Sequence, residues 1–377
     1  MPSPASRKAS LGQFYTRAYE KILDGFAGPP PGAAVVEPFA GAGHLVAWAR
    51  AKGYTGPIEA FDIDPAPMPD RALPVDIVAR DTLRSPPDYA GRWVLTNPPY
   101  LAKNKTDGTS ADLFDRHGTN DLYKVFFETL LGAGAEGGLV IVPINFWSSV
   151  RPADGALRGR FLEEFEVLRL CLFEERVFED TSYTVCAFAF ARRATARPPG
   201  PVRIAAHVSP PPPQPRPNPH PHTVDMVLDP AYGYRIGGEL WELPVGPYRI
   251  GRLREGGQAS TRINLHAIDG GRAHNRIRLV FGEPPIYGKE TDRAKITLCI
   301  EPAISEDRQM RLVEAFAERL GSLRDRFHSL FLVQYRDSKE YARKRIPFEL
   351  AYRLVGHLLW EEDEAGLAGA FAEVAIA

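Results

Sequence analysis

Ala33-Ala34-Val35-Val36-Glu37-Pro38-Phe39-Ala40-Gly41-Ala42-Gly43-His44-Leu45-Val46 is the stretch on which the reading of this chain turns. Ala33 to Val36 form a short apolar run of the kind found in buried parallel strands. Gly41 and Gly43 then predict a tight turn into a helix over 44–52. Glycine is needed where backbone approaches a ligand closely or adopts left-handed dihedrals. The spacing is a shortened form of the glycine pattern that binds dinucleotides, and it lacks the Lys-Ser/Thr of a phosphate-binding loop. An acid, Glu37, ends the strand. A carboxylate there repels a pyrophosphate and suits a ligand carrying an ammonium or sulfonium group. Strand, glycine turn and helix in this order predict an α/β domain with a mostly parallel sheet.

Downstream, Ile58-Glu59-Ala60-Phe61-Asp62-Ile63-Asp64-Pro65 reads as the next strand, with acids at its carboxyl end. In open α/β sheets, ligands lie outside the carboxyl ends of the strands. Asp62 follows Glu37 at close to the roughly 20-residue spacing at which an acid grips ribose hydroxyls. Asp64 is placed to cap the following turn. Val78-Ala79-Arg80-Asp81-Thr82-Leu83 reads as a third short strand ending in an acid. Trp93-Val94-Leu95-Thr96 reads as a fourth, and Asn97-Pro98-Pro99-Tyr100 follows it. Two prolines donate no backbone hydrogen bonds and hold the chain rigid. The Asn97 side-chain carbonyl and the Pro98 backbone carbonyl can then point the same way, as paired acceptors for an exocyclic NH₂ group. The Tyr100 ring can lie flat against the heterocycle bearing that amine. A rigid turn after a strand is the plainer reading of these four residues alone.

Together these segments resemble the class I S-adenosylmethionine-dependent methyltransferases. Their order resembles the gamma-type adenine-specific DNA methyltransferases of restriction-modification systems, over roughly residues 9–193. The resemblance implies a Rossmann-like class I methyltransferase fold with a mostly parallel α/β sheet, plus a smaller mixed C-terminal target-recognition domain. It implies S-adenosyl-L-methionine as cofactor, with Thr16 of Leu11-Gly12-Gln13-Phe14-Tyr15-Thr16 covering the methionine end. Arg17 stands where the family often has a proline after that threonine. Glu37, Pro38, Phe39, Gly41 and Gly43 supply the loop. Asp62 takes the ribose, two residues before the acid that precedes proline, with Ile63 beside it. Asp81 accepts from the cofactor's adenine amine, Thr82 adjoins it, Leu83 packs on that ring, and Asn97 reaches the cofactor as well. Asn97, Pro98 and Tyr100 are the implied catalytic residues, acting on the 6-amino group of an adenine flipped from double-stranded DNA. Within Val177-Phe178-Glu179-Asp180-Thr181-Ser182-Tyr183-Thr184-Val185, Phe178 is the choice for the ring that stacks on the second face of the base, with a core aromatic as the other reading. A cognate restriction endonuclease is a candidate partner. RNA adenine methyltransferases share the pocket. Release-factor glutamine methyltransferases share the motif but carry their extra domain before the glycine loop, whereas a long region follows it here.

A chain of 377 residues suggests two domains. The expected division is catalytic residues 1–205, a proline-rich linker over 206–222, and a target-recognition domain over 223–377. Hydrophobic content of 44% and charged content of 25% fit a soluble globular protein. No apolar run approaches the about 20 residues of a membrane span, and the first residues show no apolar signal segment. The cysteines number three; Cys171 and Cys186 lie in apolar runs and read as small buried hydrophobes. No His/Cys spacing suggests a metal site. The cytoplasm is the expected compartment. A net charge of −1 requires any phosphate-binding surface to be a local patch. Leu101 to Asn120 is polar with little periodicity and reads as a loop that closes on substrate, or as a surface insertion. Asp121 to Phe127 begins a helix with an aromatic face, and Gly137 to Pro143 is a buried strand. Beyond the linker, Thr261 to Asp269 alternates like a strand. Asp307 to Phe327 has helical spacing at Met310, Val313, Phe316 and Leu320. Gln334 to Arg345 is rich in the Lys, Arg, Tyr and Ser types that grip phosphate oxygens; a solvated helix face is the other reading.

Overall fold

The structure, a computed structural model, describes residues 18–64, 75–106, 108, 110–173, 177–178, 183–197, 200–209, 223–269, 276–289, 292–338 and 341–374, with backbone only at 334–343 and 367–374. Thr16 and the rest of 11–16, like 210–222, lie outside the described residues. The chain divides into two compact units, Met1–Arg235 and Ile236–Ala377.

The strands of the first unit are β1 (Ala34–Glu37), β2 (Ile58–Asp62), β3 (Ile77–Ala79), β4 (Arg92–Thr96), β5 (Gly137–Pro143), β6 (Phe165–Phe173), β7 (Val185–Arg192), β8 (Val202–Ser209) and β9 (Thr223–Leu228). They form one sheet in the order β3-β2-β1-β4-β5-β7-β6-β8-β9. The run β3-β2-β1-β4-β5 is parallel throughout. β7 runs antiparallel to both β5 and β6. This is the expected Rossmann-like α/β class. Strand order reverses between β1 and β4, so the connections leaving these neighbours depart to opposite sides and open a crevice at their carboxyl ends.

β5 is buried along its whole length, as its unbroken apolar run predicts for a central strand covered on both faces. Gly138 is required there: a Cβ on it would lie 2.3 Å from the Val94 carbonyl oxygen, so a side chain would push β5 off β4. Beside the sheet, the helix Leu122–Leu130 buries Tyr123, Phe126 and Phe127. Phe127 stacks on Phe146 at 4.5 Å between centroids, and Phe161 and Phe188 close around them. Each such ring contributes about 1.5–3 kcal/mol through burial. Cys171 and Cys186 are buried, as expected.

Two expectations are corrected. Residues 101–120 contain a helix, Ala111–His117, whose Leu113 and Phe114 are buried and whose end is capped by Gly118 in the left-handed conformation. Seven residues with one apolar pair carry too short a periodic signal to read from sequence. Ion pairs tie this helix down, Lys103 to Asp115 at 2.5 Å and Arg84 Nη2 to Asp112 at 2.8 Å. The second correction is the boundary at 222/223. β9 alternates exposed and buried residues and pairs antiparallel with β8. Val224, Met226 and Leu228 bury their side chains in the first unit, so the proline-rich stretch joins two strands of one sheet.

In the second unit, β10 (Arg249–Arg252), β11 (Ile263–His266), β13 (Arg278–Phe281) and β14 (Lys295–Glu301) form a sheet in the order β10-β14-β11-β13. β12 (Ile268–Asp269), β15 (Val333–Ser338) and β16 (Tyr341–Arg345) form a second, in the order β12-β16-β15. The basic run expected to grip phosphate is therefore strand, not a helix face. The helix Glu306–Phe327 is N-capped by Ser305 and buries Leu312, Phe316, Leu320 and Leu323. Met310, expected on that stripe, is 45% exposed. Among the described residues no helix is long and apolar enough to cross a membrane.

Candidate active site

The crevice between β1 and β4 brings Glu37 and Asn97 to adjacent strand ends. Thr96, the last residue of β4, donates its hydroxyl to Glu37 Oε1 at 2.7 Å. The Phe39 amide donates to the same oxygen at 3.1 Å. Oε2 is buried and has no hydrogen-bond partner among the described residues. Burial pushes the Glu37 carboxyl up to about 8, against the opposing pull of the Thr96 and Phe39 hydrogen bonds. A buried carboxyl oxygen without a donor is costly, and a cation placed against it removes that cost.

Gly41 and Gly43 both adopt positive φ, 53° and 78°, and Gly43 leads directly into the helix His44–Ala51. Asp62, at the end of β2, holds this loop: its Oδ2 accepts from Gly41 N–H at 2.8 Å. Its Oδ1 accepts from the Asp64 amide at 2.9 Å. Asp62 thus forms the turn over 62–64, while the turn after Asp64, which Asp64 is expected to cap, lies outside the described residues. A carboxylate has about four lone-pair sites, so this work is compatible with a further donor. Burial raises the Asp62 pKa, while the amides of Asp64 and Gly41 oppose it. Ile63, next to it, is 47% exposed and offers an apolar surface at the strand end. Thr82 donates its hydroxyl to the Pro38 carbonyl at 2.8 Å and so pins the glycine loop from the β3 side. Asp81 accepts from the Leu83 and Arg84 amides, each at 3.2 Å. It also meets the Arg84 guanidinium at 3.3 Å. Leu83 is buried and Phe39 half-buried, with its ring edge-on to Phe126.

Asn97 and Pro98 are buried at the end of β4. The Tyr100 hydroxyl is shared between Asn97 Oδ1 and the Ile141 carbonyl, the latter at 2.8 Å. The Tyr100 ring is 2% exposed, with Tyr123 and Tyr183 edge-on at 6.3 and 6.1 Å. In this structure it is a buried strut that orients the Asn97 amide, and it presents no open face. Phe178 is 4% exposed. A half-buried ring beside Tyr100 is Tyr183, with the Lys105 ammonium 5.6 Å from its centroid. Sequence reasoning missed Tyr183; the signal was its position just before β7, in the same segment as Phe178. Among the described residues no group of three or more His, Cys, Asp or Glu is placed to hold a metal ion.

No family model and no curated protein matches the chain. Among solved structures, it is similar to the methyltransferase subunit of a type I restriction-modification system from Streptococcus thermophilus, with 15% identity and a TM-score of 0.34 over 55% of this chain and 47% of that one. It is similar to the M protein of the type I restriction enzyme EcoKI, with 15% identity and a TM-score of 0.38 over 57% of this chain and 52% of that one. The 23S rRNA methyltransferase ErmE is also similar, with 17% identity and a TM-score of 0.33 over 50% of this chain and 72% of that one. The matched part spans about half the length of the two restriction-modification subunits.

Proposed function

We propose that this chain is an S-adenosylmethionine-dependent methyltransferase whose target is the 6-amino group of adenine in a short DNA sequence, as in restriction-modification enzymes. The observation that carries the reading is the joining of two sites by Thr96: a buried acid with an unpartnered oxygen, and an Asn-Pro-Pro-Tyr turn. The residues fit the cofactor. Glu37 Oε2 is an acceptor awaiting a cationic donor, which suits the methionine ammonium. Gly41 and Gly43 allow close backbone approach. The exposed Ile63 side chain suits an adenine face, with Asp81, Thr82 and Leu83 following the neighbouring strand β3. Asp62, an acid at the carboxyl end of β2, is the proposed ribose ligand. When bound, S-adenosylmethionine supplies an electrophilic methyl group.

The protein's own work is orientation and charge stabilisation. Asn97 Oδ1 and the Pro98 carbonyl accept from the target amine and direct its lone pair. Both acceptors gain strength as the amine becomes positive, so they favour the transition state over the bound substrate. The proton leaves after transfer, so no strong general base is required. Flipping the adenine costs a few kcal/mol. Stacking on an aromatic such as the half-buried Tyr183 returns about 1–3 kcal/mol. A restriction endonuclease reading the same sequence is the proposed partner.

The test is to express the protein in a host without adenine methylation and map modified bases by single-molecule sequencing. Modified adenine at one short recurring sequence is the expected result. Modification confined to RNA, to cytosine or to a release-factor glutamine overturns the assignment.

Residues 236–377 are proposed to contact the DNA target. Burial lowers the Arg345 pKa; the nearby Arg293 adds to the shift and Glu349 opposes it. Replacing Arg343, Lys344 and Arg345 together with Ala is expected to weaken cognate and non-cognate duplexes alike. The slope of log affinity against log salt should become shallower by about 0.9 for each phosphate no longer neutralised. An unchanged affinity and slope in filter-binding titrations would move the search to Arg262 through Arg293.

A further inference from the structure

The backbone just after Asn-Pro-Pro-Tyr is clipped to the start of the helix Leu122–Leu130. Asp121 Oδ1 accepts from the Leu101 amide at 3.1 Å. Leu122 N–H donates to the Leu101 carbonyl at 3.2 Å, and Lys103 N–H donates to the Asn120 carbonyl at 2.9 Å. Ala102 and Asp121 form an isolated antiparallel bridge. Pro98 and Pro99 have no amide proton to offer, so the turn contributes little to its own restraint. One end is fixed by the β4 ladder. The other is fixed by this clip, and Asp121 is its side-chain member, 6% exposed.

We propose that Asp121 is a positioning residue for methyl transfer: by holding the Leu101 amide it fixes the Pro98-Pro99-Tyr100 turn, and through the Tyr100 hydroxyl it fixes the carbonyl of Asn97. The kinetic half of this proposal rests on the function proposed above; the structural half does not. The turn is rigid, so loosening its downstream end moves Asn97 and Tyr100 as a unit. A misplacement of about 1 Å at a reacting group costs on the order of a hundredfold in rate.

The state of the carboxyl sets the strength of the hold. Burial pushes Asp121 up to about 7, opposed by the Lys124 ammonium and by the amides of Leu101, Tyr123 and Leu122. Lys124 lies on the same helix and is paired with Asp154 at 2.7 Å and with Asn120 at 2.8 Å. The hydroxyls of Tyr100, from the turn, and of Tyr123, from the helix, lie within electrostatic reach of Asp121; burial holds both well above their ordinary range, so both stay neutral. An ionised acceptor makes a hydrogen bond roughly twice as strong as a neutral one. The hold on Leu101 therefore weakens as pH falls through about 7.

The experiment compares wild type, Asp121→Ala and Asp121→Asn. Hydrogen–deuterium exchange follows the Leu101 amide in peptides covering residues 97–106. Methyl transfer is followed from labelled S-adenosylmethionine to genomic DNA of a host lacking adenine methylation. In Asp121→Ala the Leu101 amide should exchange about tenfold faster or more, and kcat should fall about 10- to 100-fold with KM little changed. Asp121→Asn keeps an oxygen acceptor without the titration. Its acceptor is neutral, as the protonated acid's is, so at every pH it should show the weaker protection and lower rate that wild type shows below about pH 7, with no acid limb of its own. Wild-type exchange at Leu101 in Asp121→Ala overturns the proposal, as does an unaltered acid limb in Asp121→Asn. Should Asp121→Ala not fold, the pH comparison between wild type and Asp121→Asn decides alone. If wild-type protein methylates no DNA, the functional reading falls, and the exchange data still decide whether Asp121 holds the turn.

Discussion

Asn97→Ala is expected to reduce methyl transfer below a tenth of the wild-type rate while leaving cofactor affinity nearly intact. In the proposed mechanism the side-chain carbonyl is one of two acceptors for the target amine, strengthening as charge develops there. The variant should fold. Tyr100 loses one of the two oxygens that share its hydroxyl and keeps the Ile141 carbonyl at 2.8 Å, so no buried donor is stranded. The cofactor side of the crevice is untouched, because Glu37 is held by Thr96 and Phe39. Single-turnover rates and calorimetric titration with S-adenosylmethionine read the two effects separately. Retention of more than about a tenth of the rate, about 1.4 kcal/mol of barrier, would remove Asn97 from the chemistry. A parallel loss of cofactor affinity would make it a structural residue of the crevice.

The features legible in the sequence are those whose signal is local. The apolar run before Glu37, the glycines after it and the prolines after Asn97 each constrain their own backbone, and each lies where its spacing predicts. The acid at the end of β2 was legible for the same reason. Its hold on the Gly41 amide was not, because that bond joins residues on two different strand ends that the chain alone does not bring together. Tyr100 shows the limit most clearly. Its place in the motif is local, but its ring orientation is fixed by the Ile141 carbonyl on β5 and by Tyr183 before β7. The pairing of β9 with β8 was hidden by the intervening prolines, which read as a spacer between domains. Alternation within β9 says that one face is buried; it does not say against which sheet.

Glu37→Gln is expected to stabilise the free protein and to weaken cofactor binding, two effects of opposite sign from one oxygen. In the unfolded chain Glu37 ionises near 4.5, and in the fold at about 8. Between these values the folded state holds a proton that the unfolded state has released, so wild-type stability falls as pH rises through that window. By pH 8 the accumulated cost is on the order of 3–5 kcal/mol. Glutamine is neutral throughout and removes this dependence. The gain in melting temperature over wild type should therefore be large near pH 8 and small near pH 5. Binding runs the other way. A cation against Oε2 favours the ionised acid, so wild-type protein at pH 7 should release close to one proton as S-adenosylmethionine binds, whereas the variant should release none from this site. Losing that charge-assisted hydrogen bond, about 1.5–3 kcal/mol, weakens affinity by one to two orders of magnitude. Calorimetry in buffers of different ionisation enthalpy measures the proton directly. Equal proton release in both proteins would mean that the ammonium lies elsewhere. A stability gain that does not vary with pH would mean that Glu37 is ionised in the free fold, and that its unpartnered oxygen is satisfied by something other than a ligand.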